Sequence, residues 1–247
     1  MNRKVIIYPI FVSLLLVLSV LYGFTKKRNL DRKVHSIEVQ FAEGENSFLT
    51  HETVNKLLIQ SEVTVKNQPK RIIDLHHLEE KVLDNPYVDK AKVFVTPGGL
   101  IKTHISQKEP IARIISEDEV YYIDDKGLVI PLSKNFSARV PLVKGKNISS
   151  KIEEITELIL FISEDDFLKK EIIGIERLNS NEYVLTVRSG NYKIHFGEYE
   201  NVNLKFKKLK AFYNKSLKDK SIENYKVINI KYHNQVVCTK RNQDGKQ

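Results

Sequence analysis

The feature that constrains this chain most is an uncharged apolar run near its N-terminus. Residues 5–24 contain no charged side chain and consist mainly of leucine, valine and isoleucine. An α-helix rises about 1.5 Å per residue, so the run matches the ~30 Å hydrocarbon core of a bilayer. A cleaved signal peptide, the alternative, typically has a shorter apolar run and then small residues, which do not follow here. We predict a transmembrane helix over residues 5–24, a short tail over residues 1–4 and a linker over residues 25–33.

Positive charge is concentrated at the two ends of the chain. Residues 1–33 hold seven lysines and arginines against one acidic residue, and residues 201–247 hold twelve against three. Residues 34–200 are acidic overall, so the chain lacks the continuous basic footprint of a nucleic-acid-binding protein. More basic residues follow the apolar run than precede it. Taken alone, the positive-inside rule would place the C-terminal bulk in the cytoplasm.

Residues 34–109 predict a small α+β domain. Alternating apolar residues indicate a strand near residues 37–41, and two further alternating runs flank the turn at 97–99. Between the first and second strands, Thr50 and Asp74 are suitable N-cap residues for two short amphipathic helices. The predicted order is β-α-α-β-β, in which two helices cover one face of a three-stranded sheet.

Residues 110–241 predict a strand-rich β domain with two packing helices. Short apolar runs separated by turn residues indicate strands, with a hairpin turn at residues 124–127. A capping box, Ser150-x-x-Glu153, predicts the start of the first helix. A three-strand meander over 172–196 and a second helix over about 201–218 are predicted next. A last strand is predicted to run from 226 through His233-Asn234 to 239. Residues 242–247 are predicted to be a frayed polar tail.

No motif in the sequence predicts catalysis, a metal site or a cofactor. The seven histidines are not spaced as ligand pairs. The adjacent carboxylates at 124–125 and 165–166 lie in turn-like segments rather than on converging elements. Cys238, the single cysteine, is expected to be a small buried hydrophobe because no base lies near it in the sequence. We therefore expect a protein that is not an enzyme and needs no cofactor.

The lysines of the second predicted helix form the most prominent charge cluster. Such a cluster is compatible with binding anionic lipid or nucleic acid, but the aromatic residues Phe206 and Tyr213 fall on the apolar stripe rather than among the lysines. The favoured interpretation is a helix that packs on the sheet and leaves its lysines solvated. These lysines are Lys205, Lys207, Lys208, Lys210, Lys215 and Lys218.

Five segments, taken in chain order, resemble a known family. They are residues 85–93 (NPYVDKAKV), 107–112 (QKEPIA), 122–129 (YIDDKGLV), 141–145 (PLVKG) and 227–232 (VINIKY). Their order and spacing are similar to those of the FtsQ/DivIB family of bacterial cell-division proteins, which have one transmembrane helix, a POTRA domain and a β domain. Gln107 and Asn229 stand where the family pattern has Glu and Asp. The resemblance implies that the tail over residues 1–4 is cytoplasmic and that the bulk lies outside the cytoplasmic membrane, opposite to the charge bias.

The resemblance further implies a non-catalytic divisome scaffold that acts in septum formation at the cytoplasmic (inner) membrane. Its partners would be FtsB/FtsL-like proteins, bound by strand addition at an exposed C-terminal edge over residues 231–238. Other membrane division proteins would contact the anchor and the POTRA domain. The resemblance places Tyr232 at a family contact position. Lys231, Asn234 and Val236 are the other candidate partner-binding residues. Candidates for attracting an acidic partner segment are Lys205, Lys208 and Lys215.

Three other interpretations stay open at the level of sequence. The first is a POTRA-bearing envelope assembly factor or chaperone for extended chains, although such proteins usually carry several POTRA units or a membrane barrel. The second is a membrane-tethered nucleic-acid binder facing the cytoplasm, supported by the charges after the apolar run and by the basic helix. An enzyme acting on cell-wall glycan is the weakest, because no convergent carboxylate motif is present. Nucleic acid is not expected as a partner.

Overall fold

The computed structural model describes residues 3–42, 48–59, 65–116, 119–218 and 221–241. The chain divides into two compact units, Met1–Gln107 and Lys108–Gln247. The predicted tail over 242–247 lies outside the described residues. Each unit has its own hydrophobic core, and each is described by itself below.

The N-terminal unit begins with α1 (Arg3–Leu30), a single 28-residue helix. Its stretch Tyr8–Leu30 is long and apolar enough to cross a membrane, and none of that stretch is buried inside the protein. The helix includes the whole predicted apolar run and continues through the first basic residues that follow it. A candidate membrane anchor is therefore present at the predicted place.

The rest of the N-terminal unit has the predicted β-α-α-β-β order. Its elements are β1 (Ser36–Phe41), α2 (His51–Ile59), α3 (Leu75–Leu83), β2 (Val88–Val95) and β3 (Leu100–Gln107), with a 3-10 turn at Lys70–Ile72. The sheet order is β1-β3-β2, with β1 parallel and β2 antiparallel to β3. Both predicted caps are confirmed: Thr50 Oγ1 accepts from the Thr53 N–H at 3.2 Å, and Asp74 Oδ1 accepts from the His77 N–H at 3.0 Å. Sequence and structure agree here because both helices start at strong local caps.

The C-terminal unit is built on one nine-stranded mixed sheet. Its strands are β4 (Ala112–Ser116), β5 (Glu119–Ile123), β6 (Val129–Ile130), β7 (Leu142–Gly145), β8 (Ile172–Arg177), β9 (Tyr183–Val187), β10 (Lys193–Gly197), β11 (Tyr225–Asn229) and β12 (Val237–Lys240). Their order is β12-β11-β10-β9-β8-β7-β4-β5-β6. The predicted meander is β8-β9-β10, all antiparallel neighbours. The predicted turn at 124–127 joins β5 to β6, and its first residue, Asp124, accepts hydrogen bonds from the N–H groups of Lys126 and Leu128.

Two amphipathic helices pack into the core of this sheet. They are α4 (Ile152–Ser163) and α6 (Val202–Lys218), and a short helix, α5 (Asp166–Glu171), follows α4. The stripe Phe206, Leu209 and Tyr213 of α6 is fully buried in the same cluster as the inward residues of the strands. The α+β fold class predicted from the sequence, with a strand-rich second unit and two packing helices, is confirmed.

The predicted capping box at the start of α4 is wrong. A 3-10 turn, Ser149–Lys151, precedes the helix, and the Ser150 hydroxyl donates to the Asn147 carbonyl at 2.8 Å. The hydroxyl is therefore oriented toward the preceding turn instead of accepting from the first turn of α4.

A buried carboxylate ties α6 to the rest of its unit. Glu171, at the end of α5, accepts hydrogen bonds at Oε1 from Tyr213 of α6 at 2.9 Å, from Tyr192 at 3.3 Å and from Ser189 at 2.5 Å. Burial, and then the hydrogen bond with Tyr192, raises the pKa of Tyr213 above its usual range, so its hydroxyl stays protonated. Since these donors come from α6 and from the connection between β9 and β10, the carboxylate fixes α6 against the sheet.

The predicted last strand over 226–239 is wrong, because the chain turns back on itself. β11 pairs in parallel with β10, and β12 then returns antiparallel to β11. The Lys231 N–H, which would continue the strand, donates instead to the side-chain oxygen of Asn229 at 3.0 Å. Such a side-chain bond to the backbone two residues on stabilises a turn. Asn229 therefore ends β11, and residues 230–236 form the turn of a terminal hairpin.

We expect Tyr213→Phe to lower the free energy of unfolding of the chain by about 1–3 kcal/mol, because it leaves the buried Glu171 carboxylate without one donor. Chemical denaturation followed by circular dichroism measures the change. Tyr232→Phe is the matched control, since the Tyr232 side chain is exposed, and its effect should stay within about 0.5 kcal/mol. Equal stability of the two variants would contradict a structural role for the network.

Candidate partner-binding surface

The C-terminal sheet ends at β12 on one side and β6 on the other. β6 has only two residues, whereas β12 has four. Within the described part of the chain, β12 has β11 as a neighbour on one side and no strand on the other. An edge strand of this kind presents backbone N–H and C=O groups that the sheet does not pair. β12 is therefore the edge that a further strand can extend.

The side chains of β12 differ between its two faces. Val237 is 41% exposed, and Thr239 and Lys240 are also exposed. Cys238 packs partly against the core, and burial raises the pKa of its thiol, which favours the protonated form. Lys240 gives the edge a positive charge, a feature that natural edge strands use against unspecific pairing.

The four candidate binding residues lie in the turn of the terminal hairpin rather than in a strand. Tyr232 is 43% exposed at the bend, and Asn234 is exposed beside it. Val236 packs partly against the core, so its side chain supports the turn from inside. Lys231 is half-buried, its Nζ lies 3.3 Å from Glu182 Oε1, and it also lies 5.7 Å from the centre of the Tyr232 ring. The structure thus presents Tyr232 and Asn234 outward and uses Lys231 and Val236 to hold the turn.

A lysine of α6 fixes the backbone of the same turn. The Lys208 ammonium donates to the carbonyl oxygen of Ile230 at 3.0 Å and to that of Tyr232. Burial lowers the pKa of Lys208 from its ordinary value, as expected for a cation whose neighbours are carbonyl groups rather than water. Charge-assisted bonds to two carbonyls restrain the main chain on which the Tyr232 side chain stands.

The strand before α6 approaches this turn closely. Gly197 has a φ of +80°, and a Cβ at that position would lie 2.6 Å from the Cβ of Lys231. Only glycine combines this backbone conformation with such a close approach. The absence of a side chain at Gly197 therefore leaves the space that Lys231 of the turn occupies.

Half of the lysines of α6 are engaged within the protein, which corrects the expectation that the helix leaves them solvated. Lys205 is only 3% exposed, donates to the Glu198 carbonyl at 2.6 Å and lies 4.6 Å from the centre of the Phe196 ring. The prediction that Lys205 attracts an acidic partner segment is therefore wrong. Lys208 holds the turn, and Lys210 bonds to Asp165 at 2.5 Å. The exposed ones are Lys207, Lys215 and Lys218.

The adjacent carboxylates noted in the sequence have local structural roles. Asp165 caps α5, and the hydrogen bond from Lys210 holds the pKa of its carboxyl below the usual range. Asp124 is buried within its turn. Among the residues that the structure describes, no group of three or more histidine, cysteine or acidic side chains is placed to hold a metal ion.

Two sequence-family models match the chain, one to each unit. A family described as "FtsQ/DivIB, C-terminal related" matches residues 109–239, more than half of the chain. The chain belongs to the FtsQ/DivIB family. A POTRA-like domain matches residues 32–106, so this FtsQ/DivIB-family chain combines an apolar N-terminal helix, a POTRA-like domain and a β domain.

Comparison with solved structures gives a distant similarity. The major extracytoplasmic domain of the trans isomer of the cell-division protein DivIB from Geobacillus stearothermophilus is similar at 13% identity and a TM-score of 0.34, with 47% of this chain and 98% of that chain covered. No curated protein matches the sequence. Membership of the FtsQ/DivIB family gives the chain the role of a cell-division scaffold protein.

Sequence reasoning did not identify the structural roles of three residues of this FtsQ/DivIB-family surface, Lys208, Glu182 and Asn229. Lys208 and Glu182 act through partners more than twenty residues away in the sequence, and no local pattern indicates such a contact. Asn229 was different, because an asparagine at the end of an apolar run is a turn signal in its own right. Read with His233-Asn234, it predicts a hairpin rather than a continuous strand.

We expect Lys208→Met to loosen the turn of the terminal hairpin. Loss of the two bonds to the carbonyl groups should lower the free energy of unfolding by about 1–2 kcal/mol and speed amide hydrogen exchange in residues 230–236. Lys207→Met is the control, since Lys207 is the exposed neighbour on the same helix. Exchange in the turn that is equally fast in both variants would show that Lys208 does not restrain it.

Proposed function

We propose that this chain is a non-catalytic, membrane-anchored divisome scaffold that binds FtsB/FtsL-like partners by strand addition to β12. The observation that carries the proposal is the terminal hairpin, which combines an unpaired sheet edge with a restrained turn that presents Tyr232 outward. Membership of a family of cell-division proteins supplies the biological setting. The edge in this proposal is β12, Val237–Lys240, which overlaps the predicted stretch 231–238 only at its last two residues.

Strand addition suits this surface for physical reasons. A partner strand beside β12 would satisfy backbone groups that the sheet leaves unpaired, which supplies affinity and register. Specificity would come from exposed side chains, with Val237 on the edge and Tyr232 and Asn234 in the turn. An aromatic ring at the tip can cover an apolar partner side chain while its hydroxyl stays in water. Lys240 favours an acidic residue at the matching end of the partner.

Lys231 and Val236 contribute to the proposed surface indirectly. Lys231 is held by Glu182, and Val236 is held by the core. Both restrict the turn before a partner arrives, so less conformational entropy is lost on binding. In this proposal they are positioning residues, whereas Tyr232 and Asn234 contact the partner.

We further propose that the N-terminus lies in the cytoplasm and that both domains lie outside the membrane, at the division septum. The resemblance to the FtsQ/DivIB family favours this orientation, because that family places its bulk outside the cytoplasmic membrane. The basic residues after the span oppose it under the positive-inside rule. A charge bias of a few residues is a statistical preference, and a partner of the positive charges outside the cytoplasm would remove the conflict.

We expect Tyr232→Glu to weaken binding of the full-length chain, in detergent micelles, to the extracytoplasmic segments of the FtsB/FtsL-like proteins encoded in the same genome. The loss should be at least about tenfold, because a charge replaces an aromatic contact at the centre of the surface. Isothermal titration calorimetry measures it. Ile173→Glu is the matched control, since Ile173 is similarly exposed at 39% and lies four strands away in the sheet order. Equal binding by both folded variants would remove Tyr232 from the interface.

The orientation is tested with single cysteines, because Cys238→Ala removes the one native thiol. In that background we expect Ser180→Cys, at an exposed position of the β domain, to react in intact cells with a maleimide that does not cross the cytoplasmic membrane. The control Asn2→Cys should react only after the cells are permeabilised. Labelling with the opposite pattern would place the β domain in the cytoplasm and contradict the proposed location.

A further inference from the structure

Basic side chains from two separate segments gather where α1 joins the folded part of its unit. The segments are the end of α1 with the residues after it, and the 3-10 turn at Lys70–Ile72. We call this group the basic collar. Its members are Lys26, Lys27, Arg28, Arg32, Lys33, Lys70 and Arg71.

Specific contacts hold the two halves of the collar together. The Lys70 backbone N–H donates to the Arg32 carbonyl at 3.1 Å, and its ammonium donates to Asn29 Oδ1 at 2.9 Å. Next to these contacts, the backbones of Lys33 and Pro69 pair in an isolated antiparallel β-bridge. The 3-10 turn is therefore docked on the end of α1, and cations that are about forty residues apart in sequence lie on one surface.

Two of these cations share a single neutral acceptor. Arg32 Nη1 and Lys70 Nζ each donate to the carbonyl oxygen of Pro97 at 2.8 Å. The nearby carboxylate of Asp31 pairs with Arg71 instead, at 3.3 Å. Among the described residues, no carboxylate lies within ion-pairing distance of Arg32 or Lys70. Burial, and next the positive charge of Arg32, lowers the pKa of Lys70, as expected for neighbouring cations without an anion between them.

The collar lies at the depth of lipid headgroups. The apolar run ends at Phe24, and α1 continues without a break to Leu30, which corresponds to a rise of about 9 Å along the helix. The polar headgroup layer on each side of a bilayer is about 5–7 Å thick. With residues 5–24 in the hydrocarbon core, the first three basic residues of the collar fall inside that layer, and Arg32 and Lys70 follow just beyond it.

We propose that the basic collar binds the phosphate groups of anionic phospholipids and thereby fixes the N-terminal unit to the membrane surface. A phosphate between Arg32 and Lys70 would neutralise two cations that now share one carbonyl oxygen. The inference applies to either leaflet and does not depend on the proposed function. It also supplies a partner for the positive charge that follows the span.

The test uses the full-length chain reconstituted in phosphatidylcholine vesicles with a trace of spin-labelled phosphatidylglycerol or spin-labelled phosphatidylcholine. Electron paramagnetic resonance measures the fraction of labelled lipid that the protein immobilises. We expect the association constant for phosphatidylglycerol to exceed that for phosphatidylcholine by about fivefold, the equivalent of one basic residue near an anionic surface. The preference should decrease as sodium chloride is raised.

Substitutions in the collar test whether it is the site of the preference for phosphatidylglycerol. Arg32→Gln with Lys70→Gln should remove most of the preference, whereas Lys207→Gln with Lys218→Gln, which removes the same number of exposed or partly exposed charges elsewhere, should leave it unchanged. Equal association of the two lipids with the wild-type chain would overturn the proposal even if a variant failed to fold. A preference that persists in the Arg32→Gln, Lys70→Gln variant would also overturn it, since a site other than the collar would then select the anionic lipid.

Discussion

The packing of α6 across the C-terminal sheet is the constraint on which the candidate surface depends. Its buried stripe closes one core, and Tyr213 anchors it to the Glu171 carboxylate. With α6 fixed in this position, the Lys208 ammonium donates to two carbonyl groups of the hairpin turn. A buried polar network that is fully hydrogen-bonded specifies one arrangement of its elements. The geometry of an exposed turn is therefore set by contacts made deep inside the unit.

The C-terminal sheet is open, and its two edge strands differ. One end is a two-residue strand that offers little backbone to a neighbour, while the other is β12, a four-residue edge beside a restrained turn. The exposed Lys240 at the end of β12 places a positive charge on this edge, which opposes unspecific strand pairing. At the other end of the chain, basic side chains mark the junction with the anchor. The molecule thus has two candidate surfaces, one for a protein strand and one for lipid phosphate.

The sequence predicted those parts of the fold that depend on local physics. Alternation, the caps at Thr50 and Asp74 and the turn after Asp124 act within a few residues, and the structure has each of them. The failures have two causes. Ser150 and Asn229 form local hydrogen bonds that stabilise turns, where the sequence predicted a capping box and a continuous strand. Lys205 is buried by its contacts with the Glu198 carbonyl and the Phe196 ring, which no local pattern indicates. The residues of the binding surface could be named from the family resemblance, but their division into exposed and supporting side chains required the structure.

The central claim is that a partner adds a strand to β12, and a cysteine scan tests it most directly. Thr239→Cys in the Cys238→Ala background places one thiol on the exposed edge, and the FtsB/FtsL-like segment carries single cysteines at successive positions. Side chains of a strand alternate between faces, so the account predicts disulfide cross-links at every second partner position. Cross-links spaced three or four residues apart would indicate a docked helix. That pattern, or the absence of cross-links in a complex that still forms, would contradict strand addition.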